Sequence, residues 1–150
     1  DMGNGFNFIS EPFQEPILIN GSFLGELKVS INKKDFDFGV SLYEVLPNGD
    51  YFSLSYIIGR ASYMKDPTKR ILLRPNVVEG IPFSNTRLVS KKLAKGSRLL
   101  VHINVNKNPF SDLNYGTGKE VSKETIEDAK EPLKVKWYTD SYVEVPVWKD

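Results

Sequence analysis

A single histidine, two closely spaced aspartates and a Gly-Thr-Gly-Lys run are the residues whose types invite chemistry. His102 is the only histidine in the chain; an imidazole can take a proton from a serine nucleophile when an acid orients it. The Gly-x-Ser-x-Gly pentapeptide that usually presents such a serine is missing from the sequence. His102 alternates with Val101 and Ile103, which points it to the outer face of a sheet as a surface or interface residue rather than a catalytic one. A zinc site would need further His or Cys ligands, and there is no Cys. Asp35 and Asp37 flank Phe36 on one side of an extended backbone, where their oxygens could share a hard cation such as calcium; the ordinary alternative is a pair of turn carboxylates accepting backbone hydrogen bonds. Gly116-Thr117-Gly118-Lys119 falls short of a phosphate loop because Leu113 and Glu120 stand where Gly and Ser or Thr are required. No cofactor is expected.

Other polar and aromatic groups have plainer readings. Lys91, Lys92, Lys95 and Arg98 form a basic cluster of the size normally found in solvated turns. Asn20-Gly21-Ser22 fits a glycosylation sequon at a tight turn. Tyr51, Tyr56, Tyr63, Tyr115, Tyr138, Tyr142 and Trp148 could supply a sugar-stacking platform. Alternation sets Tyr142 and Trp148 opposite Val143, Val145 and Val147, as if a second contact covered them.

Strands must position these residues. Leu99, Val101, Ile103 and Val105 fall on every second position between the Lys95-Gly96-Ser97-Arg98 turn and Asn108-Pro109-Phe110, where proline ends the ladder. Leu27, Val29 and Ile31 follow the Asn20-Gly21 turn pair, which also closes a short strand at Ile17 to Ile19. Phe36, Phe38, Val40 and Leu42 lead to Pro47-Asn48-Gly49-Asp50, a hairpin turn into Tyr51 to Leu54. Tyr56 to Tyr63 could continue with a bulge at Gly59. Ile71 to Leu73 and Arg87 to Val89 are shorter candidates, and Leu133 to Trp137 and Val143 to Val147 close the chain. Residues 1–15 read as an extended lead-in along a sheet edge, with pairing starting after Pro16. Ser122 to Lys130 is the one place for a helix, capped by Ser122 and ended by Pro132.

Eight or nine strands and at most one short helix predict an all-β fold, an antiparallel β-sandwich of jelly-roll type, as a single domain over residues 16–150. At 150 residues one core suffices. Twenty Lys and Arg against nineteen Asp and Glu leave a net charge of +1, too little to attract nucleic acid or an acidic membrane. No apolar run is long enough for a membrane span. Asp1-Met2-Gly3-Asn4-Gly5 has no signal-peptide character, and Met at the second position suggests a piece excised from something longer. Cytoplasmic, periplasmic and secreted locations all stay open.

Several of these segments, in order and spacing, resemble the C-terminal domain of the X-Pro dipeptidyl-peptidase superfamily, which includes cocaine esterase and the glutaryl-cephalosporin acylases. Asp35-Phe36-Asp37-Phe38 leading into Leu42-Tyr43-Glu44-Val45 is similar to the family's Asp-Thr-Asp-Phe turn, and Pro47-Asn48-Gly49 to its Pro-Asp-Gly turn. Gly59-Arg60-Ala61-Ser62-Tyr63 resembles an Arg-Ala-Arg-Tyr segment, and Lys95-Gly96-Ser97-Arg98-Leu99 a Lys-Gly-His-Arg-Leu segment with Ser97 in place of His. Thr139-Asp140 likewise stands in place of His-Asp before the final strand. Asn108-Pro109-Phe110 and Asn114-Tyr115-Gly116-Thr117-Gly118 resemble its Phe-Pro-x-Phe and Asn-x-Asn-Thr-Gly loops.

The resemblance implies a galactose-binding-domain-like jelly roll at the C-terminal end of a larger serine hydrolase. In that family the triad lies upstream, in an α/β-hydrolase domain, so no catalytic residue carries over. It further implies that this domain packs on the catalytic domain and shapes the active-site entrance, with Phe110, Asn114, Tyr115, Gly116, Thr117 and Gly118 as interface or pocket-rim elements, and that the parent protein could be oligomeric. The alternative is a carbohydrate-binding β-sandwich module.

Overall fold

Period-two alternation of apolar side chains builds two sheets that face each other across one core. In the computed structural model, which describes residues 5–105 and 112–148, the first sheet has the order β1 (Phe6–Ile9), β8 (Arg98–Val105), β4 (Asp37–Val45), β5 (Tyr51–Arg60), all antiparallel. Its inward side chains include Phe38, Val40, Leu42 and Ile103, all buried.

The second layer is centred on β2 (Ile17–Gly21) and β3 (Leu24–Ile31). On one side lie β6 (Glu79–Phe83) and β7 (Val89–Leu93); on the other lie β9 (Val135–Trp137), β10 (Tyr142–Glu144) and β11 (Val147–Trp148). Because β2 runs on into β3, β6 into β7 and β10 into β11, with antiparallel partners kept on both sides of each break, the two ladders form one bent layer. Its inward residues, Ile19, Leu27, Val29, Ile81 and Leu93, are completely enclosed and share a single apolar cluster with those of the first sheet. Rings add edge contacts: Trp137 meets Phe36 and Phe6 with centroids 6.2 Å apart, and Phe23 meets Phe83 at 5.9 Å.

Several expectations change. Asn20-Gly21 is no hairpin turn: Gly21, at φ +133°, is where the strand bends, and a side chain there would press on Pro146 at 3.1 Å. Pairing begins at Phe6 rather than after Pro16, because β1 is hydrogen-bonded to β8. Gly59 makes no bulge; a Cβ there would lie 2.8 Å from the Phe38 ring, so glycine is needed for packing. The register instead shifts between Leu42 and Tyr43, where Leu54 is the extra residue. Residues 71–73 are not a strand, although Ile71 and Leu73 donate their amides to the Ser62 and Lys34 carbonyls. The strand expected at Arg87 begins at Val89, and β6 precedes it unforeseen because Gly80 and Pro82 read as breakers; proline is tolerated there because β6 pairs on one side only. The helix is a single turn, α1 (Ile126–Ala129), with Thr125 and not Ser122 at its start, where the Asp128 carboxylate accepts from the Thr125 amide at 3.1 Å.

Candidate functional site

The loop 114–118 lies against the β3–β4 connection at one end of the sandwich. Lys34 donates its amide to the Gly116 carbonyl at 2.9 Å, and Asn114 Nδ2 donates to Asp37 Oδ1 at 2.9 Å. Gly116 has φ +74°, and a Cβ would stand 2.5 Å from the Asp35 carbonyl oxygen, so backbone sits on backbone here. Glu124 clamps the turn. Its carboxylate accepts from the Tyr115 amide at 2.7 Å, the Thr117 amide at 2.9 Å and the Thr117 hydroxyl. The amides that a phosphate would need are therefore taken by an internal anion.

Asp35 and Asp37 do not turn toward a common cation. Asp35 is fully enclosed, and its oxygens accept from the Phe36 and Ser62 amides, the Ser62 hydroxyl at 2.7 Å and Arg70 Nη2 at 3.0 Å. Arg70 continues to the Gly118 and Lys119 carbonyls at 3.3 and 2.5 Å, joining the buried aspartate to the loop. Asp37 receives Arg60 through two nitrogens, at 2.9 and 3.0 Å; that hydrogen bonding holds the guanidinium above its ordinary value. A calcium ion would have to displace a guanidinium from each carboxylate, and no group of three or more potential metal ligands occurs among the described residues.

His102 was expected on the outer face as a surface or interface residue. It does project from the outer face of the first sheet, but it is only 4% exposed. Nδ1 lies 2.7 Å from Asn7 Oδ1 and Nε2 lies 3.3 Å from Asn104 Nδ2, so a neutral ring protonated on Nδ1 satisfies both. With both nitrogens held by amides and no hydroxyl partner among the described residues, the ring has no nucleophile there to activate. Lys91 departs from the solvated cluster: it faces inward, 2.9 Å from Oε2 of the fully enclosed Glu44 and 4.8 Å from the Phe52 ring centre. Ser97 donates to Glu44 Oε1 at 2.7 Å. Tyr142 and Trp148 are 48% and 60% exposed, so nothing in the described chain covers them. Phe110 lies outside the described residues.

The structure thus brings Asn114 to Gly118 together with Asp35 and Asp37, while His102 stands beside Ser41, four residues along β4 from Asp37 on the same outer face. Glu124, Arg70 and Glu44 were not singled out from the sequence. Glu44 carried a signal, since it shares the phase of Val40 and Leu42 and must point inward; Glu124 and Arg70 carried none, being single charged residues in loops.

Matches to known proteins agree with this architecture. Residues 1–136 match the family model of the X-Pro dipeptidyl-peptidase C-terminal non-catalytic domain. Cocaine esterase from Rhodococcus sp. (strain MB1 Bresler) is 25% identical over 125 residues, which is 81% of this chain and 21% of the esterase. Among solved structures, a selenomethionine-labelled α-amino acid ester hydrolase superposes with a TM-score of 0.86 at 23% identity, over 96% of this chain and 25% of that one. An aminopeptidase from a marine sediment Thaumarchaeota archaeon gives 0.84 at 22% identity, over 97% and 26%. The chain therefore spans about a fifth to a quarter of these relatives. With a family model covering nearly the whole sandwich and no catalytic constellation among its described residues, the chain belongs to the family of X-Pro dipeptidyl-peptidase C-terminal non-catalytic domains.

Proposed function

We propose that this chain serves as the accessory β-sandwich of a larger α/β-hydrolase-type serine hydrolase acting on peptide, ester or amide bonds, packing on the catalytic domain and shaping its entrance. The observation that carries this reading is family membership combined with a chain that covers only 21–31% of the relatives it matches. The loop end is suited to a rim: Asn114 to Gly118 are braced from behind by Asp37, Arg70 and Glu124, while Leu113 and Ile126 beside them are 51% and 69% exposed. Phe110 belongs to the same connection.

The test is a comparison of this chain with the full product of its gene. The 150-residue chain alone turns over neither a chromogenic ester nor an X-Pro anilide, whereas a full-length product carrying an upstream Gly-x-Ser-x-Gly segment hydrolyses at least one of them. A gene without such a segment, together with glycan-array binding by this chain, would replace the reading with a carbohydrate-binding module.

A further inference from the structure

We propose that the outer face of the four-stranded sheet is the surface that the catalytic domain of the same parent chain covers, an inference that rests on the accessory-domain reading above. The two outer faces of the sandwich differ in charge. On the second layer, Glu26, Lys28, Lys92, Lys136 and Glu144 point outward and interrupt the exposed Leu24, Tyr142 and Trp148 of the same face with charge. On the four-stranded sheet the middle rows read Ile9, Leu100, Tyr43 and Asn7, His102, Ser41, Tyr56, with no carboxylate, lysine or arginine among them. Charges stand at the borders: the Asp37–Arg60 pair at one end, Arg98 at the other, and Arg87 over the Tyr56 ring.

Ile9, Ile58 and Tyr51 on this face are 54%, 52% and 58% exposed. Beneath them the one ionisable ring is already partnered, because Asn7 and Asn104 hold both nitrogens of His102. A covering domain can dry this face without orphaning the imidazole, which removes the main cost of burying it. Four strands at about 4.8 Å spacing and eight residues at about 3.3 Å give a face on the order of 500 Å², so covering it removes about 1,000 Å² summed over both partners, within the roughly 600–1,500 Å² of interfaces between domains of one chain.

The direction of the chain names the occupant. The family's domain is C-terminal and its relatives are several times as long, so the remaining polypeptide lies upstream. It reaches the fold at β1, the edge strand of this same sheet, whose Asn7 and Ile9 face outward on this side.

This chain has no cysteine, and peptide mass spectrometry reads an introduced thiol in it apart from any thiol elsewhere in the gene product. Ile58→Cys and, as a control on the other face, Lys136→Cys are introduced into this chain and into the full-length gene product. Maleimide labelling is then followed by peptide mass spectrometry. Both sites label at similar rates in the 150-residue chain; in the full-length enzyme Ile58→Cys slows at least tenfold and Lys136→Cys does not. Unchanged labelling of Ile58→Cys in a full-length chain that hydrolyses its ester would overturn the face assignment while leaving the accessory reading intact. A gene product with no upstream hydrolase removes both. If Ile58→Cys does not fold, hydroxyl-radical oxidation of unmodified Tyr56 against Tyr142 reads the same contrast, and protection of Tyr142 in place of Tyr56 overturns the assignment.

Discussion

Replacing Arg70 by methionine keeps most of the side-chain volume and removes the one cation that, among the described residues, pairs with the enclosed Asp35 carboxylate. Arg70 donates to Asp35 Oδ2 at 3.0 Å and to two carbonyls of the 118–119 turn, and its side chain is 20% exposed against 0% for Asp35. Breaking a buried pair on one side costs about 3–5 kcal/mol. Asp35 keeps three other donors from Phe36 and Ser62, so the lower end, about 3 kcal/mol, is expected. For a chain of this size that is a fall in melting temperature of roughly 6–12 °C. Urea unfolding followed by tryptophan fluorescence reads the loss, and amide exchange at Tyr115 and Thr117 reads the loosening of the loop. Adding Asp35→Asn removes the stranded charge, so the double variant should lose less than the two single losses combined, with a coupling above about 1 kcal/mol. A loss below about 1 kcal/mol for Arg70→Met, or strict additivity with Asp35→Asn, would refute the claim that this pair ties the loop to the core.

Gly116→Ala is expected to cost more than about 2 kcal/mol, since the new methyl meets backbone at 2.5 Å, whereas Gly49→Ala at φ +90° in open space should cost only about 1 kcal/mol; urea midpoints compare the two. Lys91→Met leaves the enclosed Glu44 without its cation and should lose about 3 kcal/mol, while Ser97→Ala removes one hydrogen bond and should lose about 1–2 kcal/mol, both measured by thermal unfolding. Glu79 gives a pH dependence. Burial pushes its carboxyl up, but the Arg74 amide and the Lys65 ammonium outweigh that and set it below its ordinary 4.5. Its contribution is then present above about pH 4.5 and is lost as pH falls through the lower folded value. Stability measured between pH 7 and pH 3 should decline less steeply in Glu79→Gln, and an unchanged slope would contradict the assignment.

Alternation alone was enough to read the sandwich and the inward faces of β3, β4 and β8, because each has one buried side and the period of two then has a single solution. What alternation cannot state is what lies over a residue on the other side. His102 was assigned to the outer face as a surface or interface residue, but what encloses it there was not legible: the amides come from Asn104 on its own strand and from Asn7, a strand hidden in a segment read as a lead-in. Bends misled in a similar way. Gly21 and Pro82 are breakers by local propensity, yet both sit in a layer held by long-range pairing, where one bent strand and one edge strand tolerate them. At the loop end the family-like Asn-Tyr-Gly-Thr-Gly run was visible, but its anchors Arg70 and Glu124 come from distant or irregular positions with no periodicity to announce them.

The fate of the reactive groups separates this domain from an active site. Catalytic centres hold titratable groups whose hydrogen bonding is incomplete until substrate arrives. Here the polar groups that the sequence singles out are bonded within the chain: Asp35 to Ser62 and Arg70, Asp37 to Arg60 and Asn114, His102 to two asparagines, and the 115–117 amides to Glu124. What remains unsatisfied is apolar area: Ile9, Tyr51 and Ile58 on the sheet, Leu113 and Ile126 at the loop end. Surfaces of that kind gain free energy from being covered rather than from binding a small charged substrate. Rigid internal bonding fixes their shape, as the role proposed above beside a catalytic domain requires.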